Sequence, residues 1–337
     1  MTVKYLGIDL AKNVFQLHGE SACGEVVIRR RLGRTRLLEE IAKLPACVIG
    51  IEACTGAFYW QREFEALGHT VRIIAPQYVK PFTQHQKNDR NDAEAICRAM
   101  QQPNMRFVPT KSLAQQDIQA LHRGRQRLVN HRTALVSQMR GLLLDRGLAF
   151  GLSITRARRE IPNLLNTQRD RLGDLFASIL EQLFDMLCQL DTRVKWFDRE
   201  IERVFRSDEA CQRLARIRGV GPKTATAIVA AVGDGAEFKN GRHMAAWLGL
   251  VPRQHSSGHR QRLFGISKRG DRHLRTLLVH GARAVLRTAP KRTDAVSQWA
   301  VQLQERRGAA KAIVAIANKN ARIIFAMLRG GTEFRAA

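Results

Sequence analysis

The 337 residues predict an α/β domain at the N-terminal end, a long helical middle and a mainly α C-terminal domain. Three observations carry this. Short apolar runs alternate with helical periodicity over residues 1–110. Apolar residues then recur at three- and four-residue spacing through 111–208, as in paired long helices. Residues 209–330 open with a Gly-x-Gly-Pro signal and turn strongly basic.

Taken in order, Val3–Asp9 reads as a buried strand ending on an acid, followed by strands at Val14–Glu20 and Glu25–Arg31. Leu37, Leu38, Ile41 and Leu44 give Arg34–Leu44 helical periodicity. Cys47–Glu52 is a second apolar run ending on an acid. A helix at Thr55–Leu67 stops at Gly68, and Thr70–Ile74 is a further strand. Three early strands followed by strand–helix alternation predict a mixed sheet flanked by helices. In the middle segment Ala114, Leu121, Leu128, Leu135 and Leu142 repeat by sevens, and a second run extends from Leu172 to Val204. Both read as long helices forming a coiled-coil hairpin or an oligomer seam.

Composition narrows the partners. The chain has 56 Lys+Arg against 30 Asp+Glu, a formal charge of +26, and residues 211–337 hold 24 basic and 6 acidic residues. Such a field selects polyanions, with nucleic acid first among them. No run of about 18–20 apolar residues suits a membrane span. No signal peptide is expected at Met1–Lys4, and six cysteines without a Cys-x-x-Cys pair read as reduced core residues of a cytoplasmic protein.

Against this basic background, Lys87-Asn88-Asp89-Arg90-Asn91-Asp92-Ala93-Glu94 crowds three carboxylates into six residues. If Asp89 begins a helix, Asp89 and Asp92 share a face. One reading makes them a helix cap and a first-turn charge that complements the helix dipole. The other joins them to the strand-end acids Asp9 and Glu52 as ligands of a hard cation such as Mg2+, in phosphoryl-transfer chemistry.

Ile217-Arg218-Gly219-Val220-Gly221-Pro222-Lys223-Thr224 looks like a helix-hairpin-helix. Its backbone N–H groups and Lys223 would hold a phosphate. Further on, Arg253, Lys268, Arg269, Arg272 and Arg275 surround the Ser256-Ser257-Gly258 turn as candidate nucleic-acid contacts. By itself that turn reads as a phosphate-binding loop or as a nucleophile activated by surrounding positive charge. His255, His259 and His273 are candidate proton-transfer or phosphate-contact groups.

With these motifs in view, the chain resembles the DEDD-type insertion-sequence transposases, the bridge-RNA-guided recombinases of insertion-sequence family one-ten. The likeness rests on Gly-Ile-Asp-Leu-Ala-Lys, Gly-Ile-Glu-Ala-Cys-Thr-Gly and Lys-Asn-Asp-Arg-Asn-Asp-Ala, then on Gly-Val-Gly-Pro-Lys-Thr-Ala, Gly-Leu-Val-Pro-Arg-Gln, Ser-Ser-Gly and Ile-Ser-Lys-Arg-Gly, over essentially the whole length.

The resemblance implies an RNase H-like (RuvC-like) domain whose acids Asp9, Glu52, Asp89 and Asp92 bind Mg2+. It also implies a Tnp domain whose Ser257 attacks the scissile phosphate, with Ser256 the alternative. Donor and target double-stranded DNA, a noncoding bridge RNA and a dimer or tetramer are the implied partners. Many relatives have a second glycine where His259 stands. Two other readings compete: a metal-dependent junction resolvase with water as nucleophile, and a non-catalytic nucleic-acid scaffold.

Overall fold

The computed structural model describes residues 2–83, 89–258 and 260–331, apart from the side chains of Asp89 and Arg90. It divides into two compact units, Met1–Lys111 and Ser112–Ala337.

In the first unit the order is β1 (Tyr5–Leu10), β2 (Val14–Glu20), β3 (Val26–Gly33), α1 (Arg34–Ala42), β4 (Val48–Glu52), α2 (Ala57–Ala66), β5 (Thr70–Ile74), α3 (Pro76–Val79), α4 (Asp89–Met100) and β6 (Phe107–Val108). The six strands form one mixed sheet in the order β3-β2-β1-β4-β5-β6. The first three run antiparallel as a meander, β1, β4 and β5 are parallel, and β6 returns antiparallel. Leu6, Ile8, Ile49 and Ile51 are fully buried, as strands covered on both faces require. On one face Phe15, Leu37, Ile41, Trp60 and Phe64 complete a core with α1 and α2. The β6 pairing at Phe107–Val108 had no signal in the sequence, because two residues are too few to show a period.

Helix α4 covers the other face at very short range. A Cβ on Gly7 would stand 2.2 Å from the Ala93 carbonyl oxygen, and one on Gly50 would stand 2.8 Å from Met100 Sδ. Glycine is thus required at both positions by the approach of the helix. The Cys97 thiol donates to the Tyr5 carbonyl at 3.8 Å. Tyr5 therefore lies level with Cys97 and Gly7 with Ala93, so α4 runs antiparallel to β1, and its first turn reaches the C-terminal ends of β1 and β4.

The second unit contains α5 (Leu113–Leu144), α6 (Ile154–Thr167), α7 (Arg169–Leu172), α8 (Asp174–Ser207), α9 (Glu209–Leu214), α10 (Pro222–Val232), α11 (Gly241–Trp247), β7 (Pro252–Ser257), β8 (Arg260–Ile266), α12 (Arg272–Thr288), α13 (Ala295–Arg307) and α14 (Ala309–Gly330). Ser112 opens α5 with a capping box to Gln115. Arg125 pairs with Asp198 at 2.6 Å and Arg132 with Asp191 at 2.9 Å, so α5 and α8 are antiparallel neighbours. A Cβ on Gly124 would stand 2.7 Å from the Phe197 ring, which marks their closest approach.

The sevenfold repeat maps only partly onto this seam. In α8, Leu180, Leu187, Val194 and Ile201 are buried, but Ile179 and Met186, expected on the same stripe, are exposed. In α5 the buried residues are His122, Leu135, Val136, Met139 and Leu143, while Ala114 is exposed. Along the first part of α5 a second partner takes the surface: Gln115, Gln119 and His122 on one face hydrogen-bond to α10 through Val229 O, Ala230 O and Thr226 Oγ1.

All six cysteines are free, but the expectation that they are core residues is half wrong. Cys47, Cys97 and Cys211 are buried, whereas Cys23, Cys54 and Cys188 are exposed.

Candidate active site and nucleic-acid interface

Asp9 and Glu52 are set side by side by strand register. Ile8 pairs with Ile51 across β1 and β4, so the next residue on each strand is an acid, and both acids project from the face that Gly7 and Gly50 present to α4. Their proximity is felt by Cys54, an exposed residue whose thiol turns inward to Leu10 O at 3.9 Å: desolvation of the thiol there first, then the charges of Glu52 and Asp9, push it above the usual range. Cys54 carried no signal of its own in the sequence, although it follows Glu52 by two residues.

On α4, Asp92 is half-buried and lies one turn before Ile96, which faces Gly50. That stripe carries Asp92 towards the Glu52 end of the sheet. Asp89 opens the helix, one turn before Ala93, which faces Gly7; its side chain lies outside the described residues. Glu94, the third acid of the run, pairs instead with Arg98 at 2.6 Å and Arg29 at 3.8 Å. Among the described residues no three Asp, Glu, His or Cys side chains form a ready metal cluster. What the structure brings together is a hard, all-oxygen pair at strand ends beneath a helix N-terminus. That donor chemistry fits Mg2+, which takes one or two carboxylates and completes its shell with water and phosphate oxygens.

In the second unit the Ser-Ser-Gly stretch is part of a hairpin, β7–β8, whose strands the sequence did not announce. Every residue of β7 is exposed. The register pairs Ser257 with Arg260, His255 with Arg262, Ser256 with Gln261 and Gln254 with Leu263. Alternation then sorts the two serines. Ser257 shares its face with His255, Arg260 and Arg262, while Ser256 shares the opposite face with Gln254, whose side-chain amide donates to Ser256 Oγ at 2.8 Å. Arg260 and Arg262 were missed in the sequence, where alternation could not be read without the hairpin. Arg253 stands over the Phe264 ring at 6.0 Å. His259 lies outside the described residues.

The hairpin base is locked backbone to backbone. Ser267 N–H donates to Val251 O at 2.8 Å and Lys268 N–H to Gly249 O at 3.2 Å. Arg275 donates to the carbonyls of Leu248 at 3.0 Å and Arg269 at 2.7 Å. Gly270 has φ +70, and a Cβ there would stand 1.9 Å from Trp247 O. Lys268 holds φ 55, a left-handed conformation that is unusual for a side-chain-bearing residue. The Gly-Leu-Val-Pro and Ile-Ser-Lys-Arg-Gly motifs are thus two halves of one clasp.

The remaining candidate phosphate-binding residues are divided. Arg253, Lys268, Arg269 and Arg272 are exposed. Arg275 is half-buried and occupied by the clasp. Gly221 opens onto free space as the N-cap of α10, while a Cβ on Gly219 would stand 2.6 Å from Gly281 O, so Gly219 seats α12. Lys223 pairs with Asp198 at 2.8 Å, and a cavity of about 340 Å³ there is lined by Asp198 and Glu202 as well as by Gly221 and Lys223. A phosphate held there would have to displace that ion pair.

His273 packs against His122, with ring centroids 5.5 Å apart. Burial, then the charges of His273, Arg125 and Lys223, depress His122 to about 4. His273 is lowered chiefly by burial.

Comparison with known proteins agrees with both halves. A DEDD-type transposase family model matches residues 6–146, and one described as Transposase IS116/IS110/IS902 family matches residues 211–298. The chain is similar to a probable family 20 transposase of Pseudomonas aeruginosa, 48% identical over 99% of both chains. It is also similar to the transposase for insertion sequence element IS1111A of Coxiella burnetii, 44% identical over 99% of this chain and 92% of that one. A third relative, the transposase for IS1328 of Yersinia enterocolitica, is 37% identical over 98% of both.

Proposed function

The chain belongs to the IS116/IS110/IS902 transposase family, enzymes that act on DNA, and from that premise we propose a strand-exchange reaction through a phosphoserine intermediate. Ser257 Oγ attacks the scissile phosphorus and loses its proton. The bond from phosphorus to one sugar oxygen breaks, and that oxygen leaves as a hydroxyl. The sugar hydroxyl of another strand then attacks the phosphoserine and frees the serine, so the number of phosphodiester bonds is conserved. Asp9, Glu52, Asp89 and Asp92 would hold Mg2+, which when bound supplies positive charge to the phosphate and leaving oxygens. Arg260 and Arg262 beside Ser257 meet the developing negative charge.

The observation that carries the reading is the side-by-side register of Asp9 and Glu52 at adjacent parallel strand ends, facing the start of α4. The order β3-β2-β1-β4-β5, three antiparallel strands then two parallel, supports an RNase H-like (RuvC-like) first domain. The antiparallel α5–α8 pair supports a coiled-coil middle domain. Exposed Leu175, Ile179 and Met186 on α8 support assembly into a dimer or tetramer. The turn from α9 to α10 supports a helix-hairpin-helix opening the third domain.

A noncoding bridge RNA would supply sequence choice by base pairing, consistent with a C-terminal surface rich in backbone-binding cations. No helix among the described residues is long and apolar enough to cross a membrane. The reaction is assigned to the cytoplasm, where the DNA substrate lies.

A denaturing gel of labelled element-junction DNA with protein, Mg2+ and flanking RNA tests this. A protein–DNA adduct lost in Asp9→Ala and Ser257→Ala supports the serine route. Cleaved DNA without an adduct supports the second reading, a metal-dependent nuclease using water, which the exposed position of Ser257 favours.

A further inference from the structure

A cavity of about 1280 Å³ opens between the base of the β7–β8 hairpin, the start of α11 and the length of α14. Its cations are Arg242, Lys311, Lys319 and Arg322, and among the described residues no carboxylate lines it. Three aromatic residues, Phe264, Trp299 and Phe325, stand in its wall. Trp299 carries Lys319 Nζ at 4.7 Å from its ring centroid, and Phe264 is 48% exposed. At one end α11 meets α14 so tightly that a Cβ on Gly241 would stand 3.0 Å from Arg322 Cα. The groove is therefore part of the packed framework.

Cations without acids select a polyanion, and the exposed Phe264 ring with the half-buried Trp299 beside it selects planar bases. Duplex DNA offers the first but hides its base faces in the stack. The volume also exceeds the roughly 300–1,000 Å³ of small-molecule pockets. We propose that this groove binds an unpaired stretch of nucleic acid, with bases against Trp299 and Phe264 and phosphates on the four cations. A β-bulge interrupts β8 next to Phe264, but Arg253, on the same face of β7 as His255 and Ser257, stands over the Phe264 ring, so Phe264 lies on the face of Ser257 and its partner Arg260. At about 3.3 Å per residue the path from the groove to Ser257 is on the order of 13 Å. The strand would thus be led towards the serine.

This inference rests on the chain acting on DNA and is independent of the serine and metal chemistry, so its test omits Mg2+ and reads binding alone. Fluorescence anisotropy of the full chain would compare oligothymidylate, oligouridylate and a duplex of equal length, for wild type, Phe264→Ala and Lys311→Gln/Lys319→Gln. Phe264→Ala should weaken single-strand binding at least about fivefold. The double neutralisation should lower the salt-dependence slope by about 0.7 for each phosphate no longer neutralised. Duplex binding should change less in both variants. The better-bound oligonucleotide identifies DNA or RNA as the source of the strand. Photocrosslinks from 5-bromouracil oligonucleotides should map to peptides carrying Trp299 or Phe264. Equal losses for duplex and single strand, or crosslinks confined to other peptides, would overturn the assignment. So would protein–protein crosslinks placing a second copy of the chain in the groove.

Discussion

The carboxylate pair and the serine hairpin are positioned by opposite means. Asp9 and Glu52 extend from strands whose Leu6, Ile8, Ile49 and Ile51 are wholly buried, beneath a helix that only glycine lets in. Ser257 ends a strand with no buried residue at all, held only by the clasp at its base. Burial fixes the first site through side-chain packing, and backbone hydrogen bonds with the left-handed glycines Gly249 (φ +69) and Gly270 fix the second. The lesson is that the two should fail differently when disturbed.

The largest effect separates chemistry from framework. Asp9→Ala should reduce strand cleavage by roughly a thousandfold or more, because the lost charge stabilisation amounts to several kcal/mol. Thermal unfolding, followed by circular dichroism, should hardly move. Gly7→Ala should also lower cleavage steeply but through α4, since the new methyl group overlaps the Ala93 carbonyl oxygen. Its signature is a fall in melting temperature matching a loss of about 1–3 kcal/mol. A melting temperature equal to wild type would break the claim that α4 packing positions the carboxylates.

Gly270→Ala tests the clasp. A methyl group at φ +70, against Trp247 O, should cost about 1–3 kcal/mol. It should cut adduct formation at Ser257 while leaving metal binding at Asp9 intact, as titration calorimetry would report. Ser256→Ala should alter adduct yield less than threefold or so, since Ser256 faces away from Arg260 and Arg262. A loss as large as that of Ser257→Ala would exchange the two assignments.

The smallest effect is in pH. His122 titrates near 4 when folded and near 6.5 when unfolded, so between these values the unfolded chain binds more protons. Its contribution is present above about 6.5 and is lost as pH falls to 4, up to about 3 kcal/mol. Urea melts at pH 7 and pH 4.5 should show this loss, and His122→Gln should shrink it.

Much of the first unit was legible in residue order. The two acid-ended strands, the helix over Arg34–Ala42 and the strand at Thr70–Ile74 follow from strong local periods. The acids were legible because a carboxylate closing a buried strand breaks the apolar pattern. The hairpin was not, since Arg-Gln-His-Ser-Ser has no apolar face to show a period of two. The sevenfold repeat in α5 overstated the coiled coil, because α10 takes part of that helix's surface through polar side chains.

What the sequence determined by itself was chemistry and type: a basic nucleic-acid protein, four acids, a serine in a cationic neighbourhood and the family they mark. What only the tertiary structure decided was neighbourhood. Register placed Asp9 beside Glu52, turned Ser257 towards Arg260 and Ser256 away, and tied Lys223 to Asp198. The physical reason is that periodicity reports which face a residue occupies within its own element. Which partner that face meets depends on strand pairing and helix packing between residues distant in sequence.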